Sequence, residues 1–216
     1  MAVAAKSIQD ALGAKGQDDA LRDLFDLARD NSISSRNQLV ERLGDLYFED
    51  NSANSAERDL MAKILRDLVR DVEKAVRTKL SRRLAADPNA PRELVSILAN
   101  DDIEVAHPIL VRSNALDDAE LIEIIHQRTV RHQKSIAGRE AVSEAVTDAL
   151  VETGETSVVE TLLHNHGAEI SNQTMTTLVD ASKGIETYRG PLLDRSDLSP
   201  HLARRMYWWV SAALRE

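Results

Sequence analysis

The chain contains no cysteine, which excludes disulfides, thiolate metal sites, iron–sulfur clusters and cysteine nucleophiles together and fits a reducing compartment. Aromatic residues make up only 3% of its 216 residues, while Ala, Leu, Val, Asp, Glu and Arg dominate. Good helix formers thus prevail over strand-favouring residues, and helix is expected before any pattern is read. The first residues, MAVAAKSIQDALGAKGQDD, turn polar at Lys6 and again from Gln9, so they lack the apolar stretch of a secretory signal. Nowhere is there a run of about 18 apolar residues that could span a membrane. Cytoplasm is the expected location.

Signatures of catalysis are missing as well. The nearest glycine pair, Gly13 and Gly16, has neither phosphate-loop nor dinucleotide spacing and reads as a turn. The histidines are His107, His126, His132, His164, His166 and His201, and none forms the i,i+4 pair with glutamate that marks a zinc helix. His164 and His166 come nearest to a ligand cluster, but residues two apart on a helix point about 160° apart and converge only where the helix ends. No G-x-S-x-G elbow is present. No catalytic residue, cofactor or metal ligand is expected.

What is present is ordinary core-forming material, 43% hydrophobic, in an acidic chain of net charge −9. The charge is uneven: residues 1–60 carry −5, residues 61–86 carry +5 and residues 87–216 carry −9. Overall acidity disfavours non-specific binding to nucleic acid or anionic lipid, whereas one basic stretch can still attract an anion.

A phrase recurs along the chain, an apolar residue followed five positions later by another and then by a helix-start residue. Ala28 leads to Ile33-Ser34, Ala85 to Ala90-Pro91, Val111 to Leu116-Asp117 and Leu193 to Leu198-Ser199, with Leu163 to Ile170-Ser171 two residues longer. An offset of 27 superposes Leu84, Glu93, Leu94, Val95, Ile97 and Leu98 on Val111, Glu120, Leu121, Ile122, Ile124 and Ile125. Asp117 with Glu120 fits a capping box, Ser34, Ser171 and Ser199 suit N-caps, and Pro91 and Pro200 suit the first helical position. The spacing predicts helices near 18–30, 35–49, 55–86 (with room for a break), 91–99, 103–113, 118–131, 139–153, 156–165, 172–182, 188–194 and 200–215. The expected fold is all-α, an α-solenoid of stacked helix-pair, HEAT-like repeats, because a short pair cannot bury its apolar stripe alone. Residues 1–86 form its amino-terminal helical region and residues 87–216 a helical-repeat region continuing the same solenoid.

The segment ADPNAPRELVSILANDDIEVAHPIL, Ala86 to Leu110, resembles HEAT-like and leucine-rich-variant repeats in its Asn-Ala-Pro turn and following Leu. Across its length the chain is similar to the amino-terminal region of an uncharacterised bacterial family, domain of unknown function 2336. The resemblance implies stacked helical repeats and an amino-terminal piece of a longer protein, and brings no site residues. His107-Pro108 departs from the Val-Arg that HEAT-like units often carry there.

Two features stand out as candidate binding elements. Lys63, Arg66, Arg70, Lys74 and Arg77, if on one helix, fall within an arc of about 80°, opposite Leu65, Leu68, Val69, Val72 and Val76. This ridge reads either as a solvated face neutralised by neighbours such as Asp71 and Glu73, or as a site for an anion or acidic partner. At the other end, Tyr207, Trp208 and Trp209 supply three of the seven aromatics. Trp209 shares the apolar arc of Leu202, Met206, Val210 and Ala213, whereas Trp208 falls among Arg204, Ser211 and Arg215 and is a candidate interface residue.

The expected function is a non-enzymatic protein–protein interaction scaffold or regulatory adaptor with a protein partner. The alternative is a nucleic-acid-binding repeat protein that grips phosphates with Lys63 to Arg77 together with Arg128, Arg131, Lys134 and Arg139.

Overall fold

The structure is a computed structural model and describes residues 18–49 and 55–213, with side chains described from 23 to 48 and from 55 to 209. The Gly13–Gly16 turn, Arg215 and the side chains of Val210, Ser211 and Ala213 lie outside these. Among the described residues every regular element is helical, and one isolated parallel bridge joins Val142 to Ala168. The helices are α1 (Asp18–Arg29), α2 (Ile33–Glu49), α3 (Ser55–Leu68), α4 (Lys74–Leu84), α5 (Arg92–Ala99), α6 (Ile103–Arg112), α7 (Asp118–Gln127), α8 (Val130–Ala137), α9 (Glu144–Glu152), α10 (Thr156–Leu163), α11 (Asn172–Ala181), α12 (Arg189–Asp194) and α13 (Pro200–Ala213). Short 3-10 turns cover Val69–Asp71 and Glu186–Tyr188.

Two compact units result, one reaching Ile109 and including Ser113–Leu116, the other comprising Leu110–Arg112 and everything from Asp117. In the first, α1 packs on α2, α2 on α3 and α4, and α3 and α4 on α5. Its core holds Leu39, Leu65, Leu84, Leu94 and Leu98, all but excluded from solvent. In the second, α7 packs on α8 and α9, α8 on α9 and α10, α10 on α12, and α11 and α12 on α13. Helices α2, α7 and α8 therefore touch both the next helix and the next but one. The carboxyl-terminal core gathers Val159, Leu163, Met175, Leu178, Val179, Tyr188, Leu192, Leu202 and Met206, with Trp209 packed against it.

The expected 118–131 helix is two helices. Arg128 and Thr129 adopt extended backbone between α7 and α8, the Gln133 side chain donates to the Ile125 carbonyl at 2.8 Å, and Thr129 hydroxyl meets His132 Nδ1 at 2.9 Å. Likewise the expected 139–153 helix begins only at Glu144, after N-cap Ser143. The long helix over 55–86 is broken: Val72 and Glu73 are extended, Glu73 N–H donates to Asn37 Oδ1 at 3.0 Å, and Arg77 donates to the Val72 carbonyl at 2.7 Å.

Side-chain caps mark several other helix starts. Asp117 accepts from Glu120 N–H at 2.9 Å while Glu120 carboxylate accepts from Asp117 N–H at 3.1 Å, completing the capping box. Ser171 caps Thr174 at 3.1 Å, and Ser199 accepts from Leu202 at 3.4 Å. At α2 the cap is Ser32 rather than Ser34, with Ser35 N–H donating to its hydroxyl at 3.1 Å, and Pro91 stands one place before α5 instead of opening it.

In the second unit two N-cap serines, Ser143 and Ser171, have a further partner. Ser143 donates to Asp118 of α7 at 2.7 Å, and Ser171 donates to Asp148 of α9 at 3.4 Å, joined there by Thr174. Two buried arginines bind backbone well before them in the chain: Arg139 donates to the Leu110 carbonyl at 2.5 Å, and Arg195 donates to the Asn165 and Ala168 carbonyls, each at 2.8 Å. Burial pushes the Arg139 guanidinium below its ordinary value, and Asp118 partly offsets it.

Candidate partner-binding cleft

The five ridge cations do not share a helix: Lys63 and Arg66 lie on α3, Arg70 in the 3-10 turn, Lys74 and Arg77 on α4. Their acidic neighbours come mainly from α5, α6 and the loop between them. Arg66 pairs with Glu93 of α5 and, at 3.2 Å, with Asp67. Lys74 meets Glu104 at 3.0 Å and Asp102 at 3.6 Å, and Arg77 grips Asp101 through two bonds of 2.6 and 3.0 Å. Lys79 reaches Glu41 at 3.1 Å, while Arg83 pairs with Asp45 and stacks 4.4 Å from the Phe48 ring centre. The basic stretch is thus largely absorbed by its acidic flanks, the sequence-distant counterpart of neutralisation by i,i+4 neighbours. Lys63 and Arg70 are exposed and form no ion pair with a described residue.

Lys63 and Arg66 border a cleft of about 510 Å³ in the first unit. One wall is a single face of α3, Asp59, Ala62, Lys63 and Arg66, whose spacing of three, one and three is that of one helical stripe. The opposite wall is Pro91 and the first turn of α5, Arg92, Glu93 and Leu94. The loop before α5 is fixed locally: Asn89 N–H donates to Asp87 Oδ1 at 2.9 Å, and the Tyr47 hydroxyl meets the Asn89 carbonyl at 3.4 Å. Pro91 offers no side-chain acceptor to the first amides of α5, so the positive end of that helix borders the cleft. Three cations and two acids line the space. The Glu93 hydrogen bond, and then that of Asp67, holds the Arg66 guanidinium above its ordinary value.

The remaining candidates are dispersed. Arg128, Arg131 and Lys134 are exposed in the second unit, whereas Arg139 is buried against Leu110 and is withdrawn from any surface. Trp208 is 76% exposed and stands edge-on to Tyr207 at 6.4 Å, as its place on the polar arc requires. His164 and His166 are exposed, the former with Nδ1 at 2.8 Å from the Glu160 carbonyl. Among the described residues no three His, Asp or Glu side chains gather as a metal site, and no helix is long and apolar enough to cross a membrane. Sequence reasoning missed Asp59 and Arg92, which line the cleft with Lys63; the 27-residue separation of Arg66 and Glu93, equal to the offset found in the sequence, is a signal that could have placed α3 beside α5.

A family model described as an uncharacterised protein conserved in bacteria (DUF2336) matches residues 105–216. This stretch contains the whole of α7 to α13 and leaves the cleft outside it. No curated protein and no solved structure matches the chain.

Proposed function

For a chain that belongs to the bacterial family DUF2336, we propose a non-enzymatic role: an interaction scaffold built of HEAT-like helix pairs stacked as in an α-solenoid, which holds an acidic segment of a protein partner in the cleft between α3 and α5. The stacked-pair architecture is supported by the packing of helices on their next-but-one neighbours within each unit. The observation that carries the binding role is the cleft, where Lys63 stands without an ion pair among the described residues, beside Arg66 and Arg92, with Ala62, Pro91 and Leu94 as apolar lining. Such apolar lining beside cations suits a peptide that presents a carboxylate next to an apolar side chain.

The charge balance favours a short acidic segment over nucleic acid. A polyanion needs several unpaired cations in register, whereas Arg66, Lys74 and Arg77 are each engaged by carboxylates, and the chain carries −9 overall.

The test uses fluorescence anisotropy of a labelled amphipathic peptide bearing Glu and Leu, with a Lys-for-Glu version as control. Saturable binding of the acidic peptide, lost in Lys63→Glu with an unchanged circular dichroism spectrum, supports the reading. Absence of binding, or equal binding of the basic peptide, overturns it, and retention of single-stranded DNA at low salt in place of the peptide would favour the phosphate-binding alternative.

A further inference from the structure

We propose that Glu93 is a built-in competitor of the cleft, its carboxylate occupying the place on Arg66 that a carboxylate of the bound segment takes. The inference rests on the binding reading above and specifies how that site is regulated. Glu93 and Arg66 lie on opposite walls of one cleft and are joined across it. The Glu93 side chain is 73% exposed, while that of Arg66 is 32% exposed. The acid is therefore the free-swinging partner and the guanidinium the anchored one, steadied also by Asp67 at 3.2 Å.

Two properties follow from this asymmetry. An ion pair this open to water contributes little, because screening and the ordering of two long side chains offset most of the attraction. Exchange of one carboxylate for another on Arg66 is then close to neutral in energy, and the pair acts as a mild filter instead of a lock. Lys63, one turn earlier on the same face, supplies a cation with no ion pair among the described residues, so an incoming segment with two acids spaced for Lys63 and Arg66 gains on the first and exchanges on the second. A ligand with a single carboxylate has no need of Arg66 and is indifferent to Glu93. Because Glu93 also lies in the first turn of α5, where an acid is favoured by the helix dipole, it can leave Arg66 without losing a favourable setting.

The experiment compares the full chain with Glu93→Gln, Glu169→Gln and Arg66→Gln, measuring anisotropy with a form of the peptide that carries two Glu residues beside its Leu. Glu169 is exposed in the second unit, so its variant changes net charge equally without touching the cleft. Glu93→Gln is expected to tighten binding by about two- to five-fold, the range that loss of one exposed pair allows. Glu169→Gln is expected to change it less, and Glu93→Gln added to Arg66→Gln is expected to have no further effect. Unchanged or weaker binding in Glu93→Gln, equal tightening in Glu169→Gln, or tightening that persists without Arg66 overturns the competitor role while leaving the cleft as a binding site. Failure of every protein, wild type included, to bind the peptide removes the binding reading itself.

Discussion

The Gly167 α-carbon faces the Glu140 carbonyl so closely that a β-carbon built there would stand 1.9 Å from that oxygen. The obstacle is backbone in a segment held by the Val142–Ala168 bridge, in which Val142 N–H donates to the Gly167 carbonyl at 3.2 Å and Glu169 N–H to the Val142 carbonyl at 2.9 Å. Gly167→Ala should destabilise the protein by about 1–3 kcal/mol, as forced overpacking does. Gly44, inside α2, meets only the Leu80 Cδ1 atom at 3.7 Å, so Gly44→Ala should stabilise by up to about 1 kcal/mol through helix propensity. Urea unfolding of both variants measures the contrast, and a tolerated Gly167→Ala would contradict the close approach.

Arg77 and Arg70 separate the structural from the solvated part of the basic stretch. The Arg77–Asp101 side chains are 17% and 18% exposed and share two hydrogen bonds, whereas Arg70 is exposed. Arg77→Ala should cost about 1.5–3 kcal/mol, the range for hydrogen bonds to charged groups, and Arg70→Ala should stay within about 0.5 kcal/mol of wild type. Equal midpoints in urea would show that the two arginines are equivalent.

Asp197 sets a pH dependence. Arg195, whose side chain is 3% exposed, binds both Asp197 oxygens at 2.8 and 2.7 Å, and this hydrogen bonding holds the Asp197 carboxyl below its ordinary value, with burial opposing. A depressed folded-state value means that the contribution to stability is present in full above the ordinary aspartate range and disappears as pH falls through the folded value. The stability gap between wild type and Asp197→Asn should therefore be open at neutral pH and close in acid. Unfolding curves at several pH values test this; a gap that widens on acidification would reverse the sign.

The two tryptophans should report different environments. With Trp209 replaced by Phe, the remaining Trp208 should emit at long wavelength and be readily quenched by acrylamide, in keeping with its 76% exposure. With Trp208 replaced instead, Trp209, packed on the Met206 core, should emit at shorter wavelength and resist the quencher. Identical spectra would count against the observed placement of α13.

Where a boundary is chemical, it was legible in the sequence: the Asp117–Glu120 box, Ser171, and the stripe carrying Leu202 and Met206 all stand where residue type and period put them. Breaks enforced by distant groups were not. Nothing in Val69–Glu73 resembles a helix terminator, and the extended backbone there is held by Asn37 and Arg77. The gap at Arg128-Thr129 is similar, closed by Gln133 on the Ile125 carbonyl, although Ala137 to Val142-Ser143 repeats the spacing of five and would have marked the start of α9. The cleft was half visible. Lys63 and Arg66 follow from helical period, but Glu93 and Arg92 join them only once α3 and α5 are packed together.

Two N-cap serines of the second unit bring otherwise separate equilibria together. Ser143 and Ser171 each start their own helix and at the same time tie it to an aspartate two helices back, so fraying of a helix start and loss of its contact with the earlier pair are one event. This raises the coupling between successive helices relative to the stability of each. Amide exchange in α7, α9 and α11 should then proceed as a block, with a shared opening free energy, instead of grading from the end inwards.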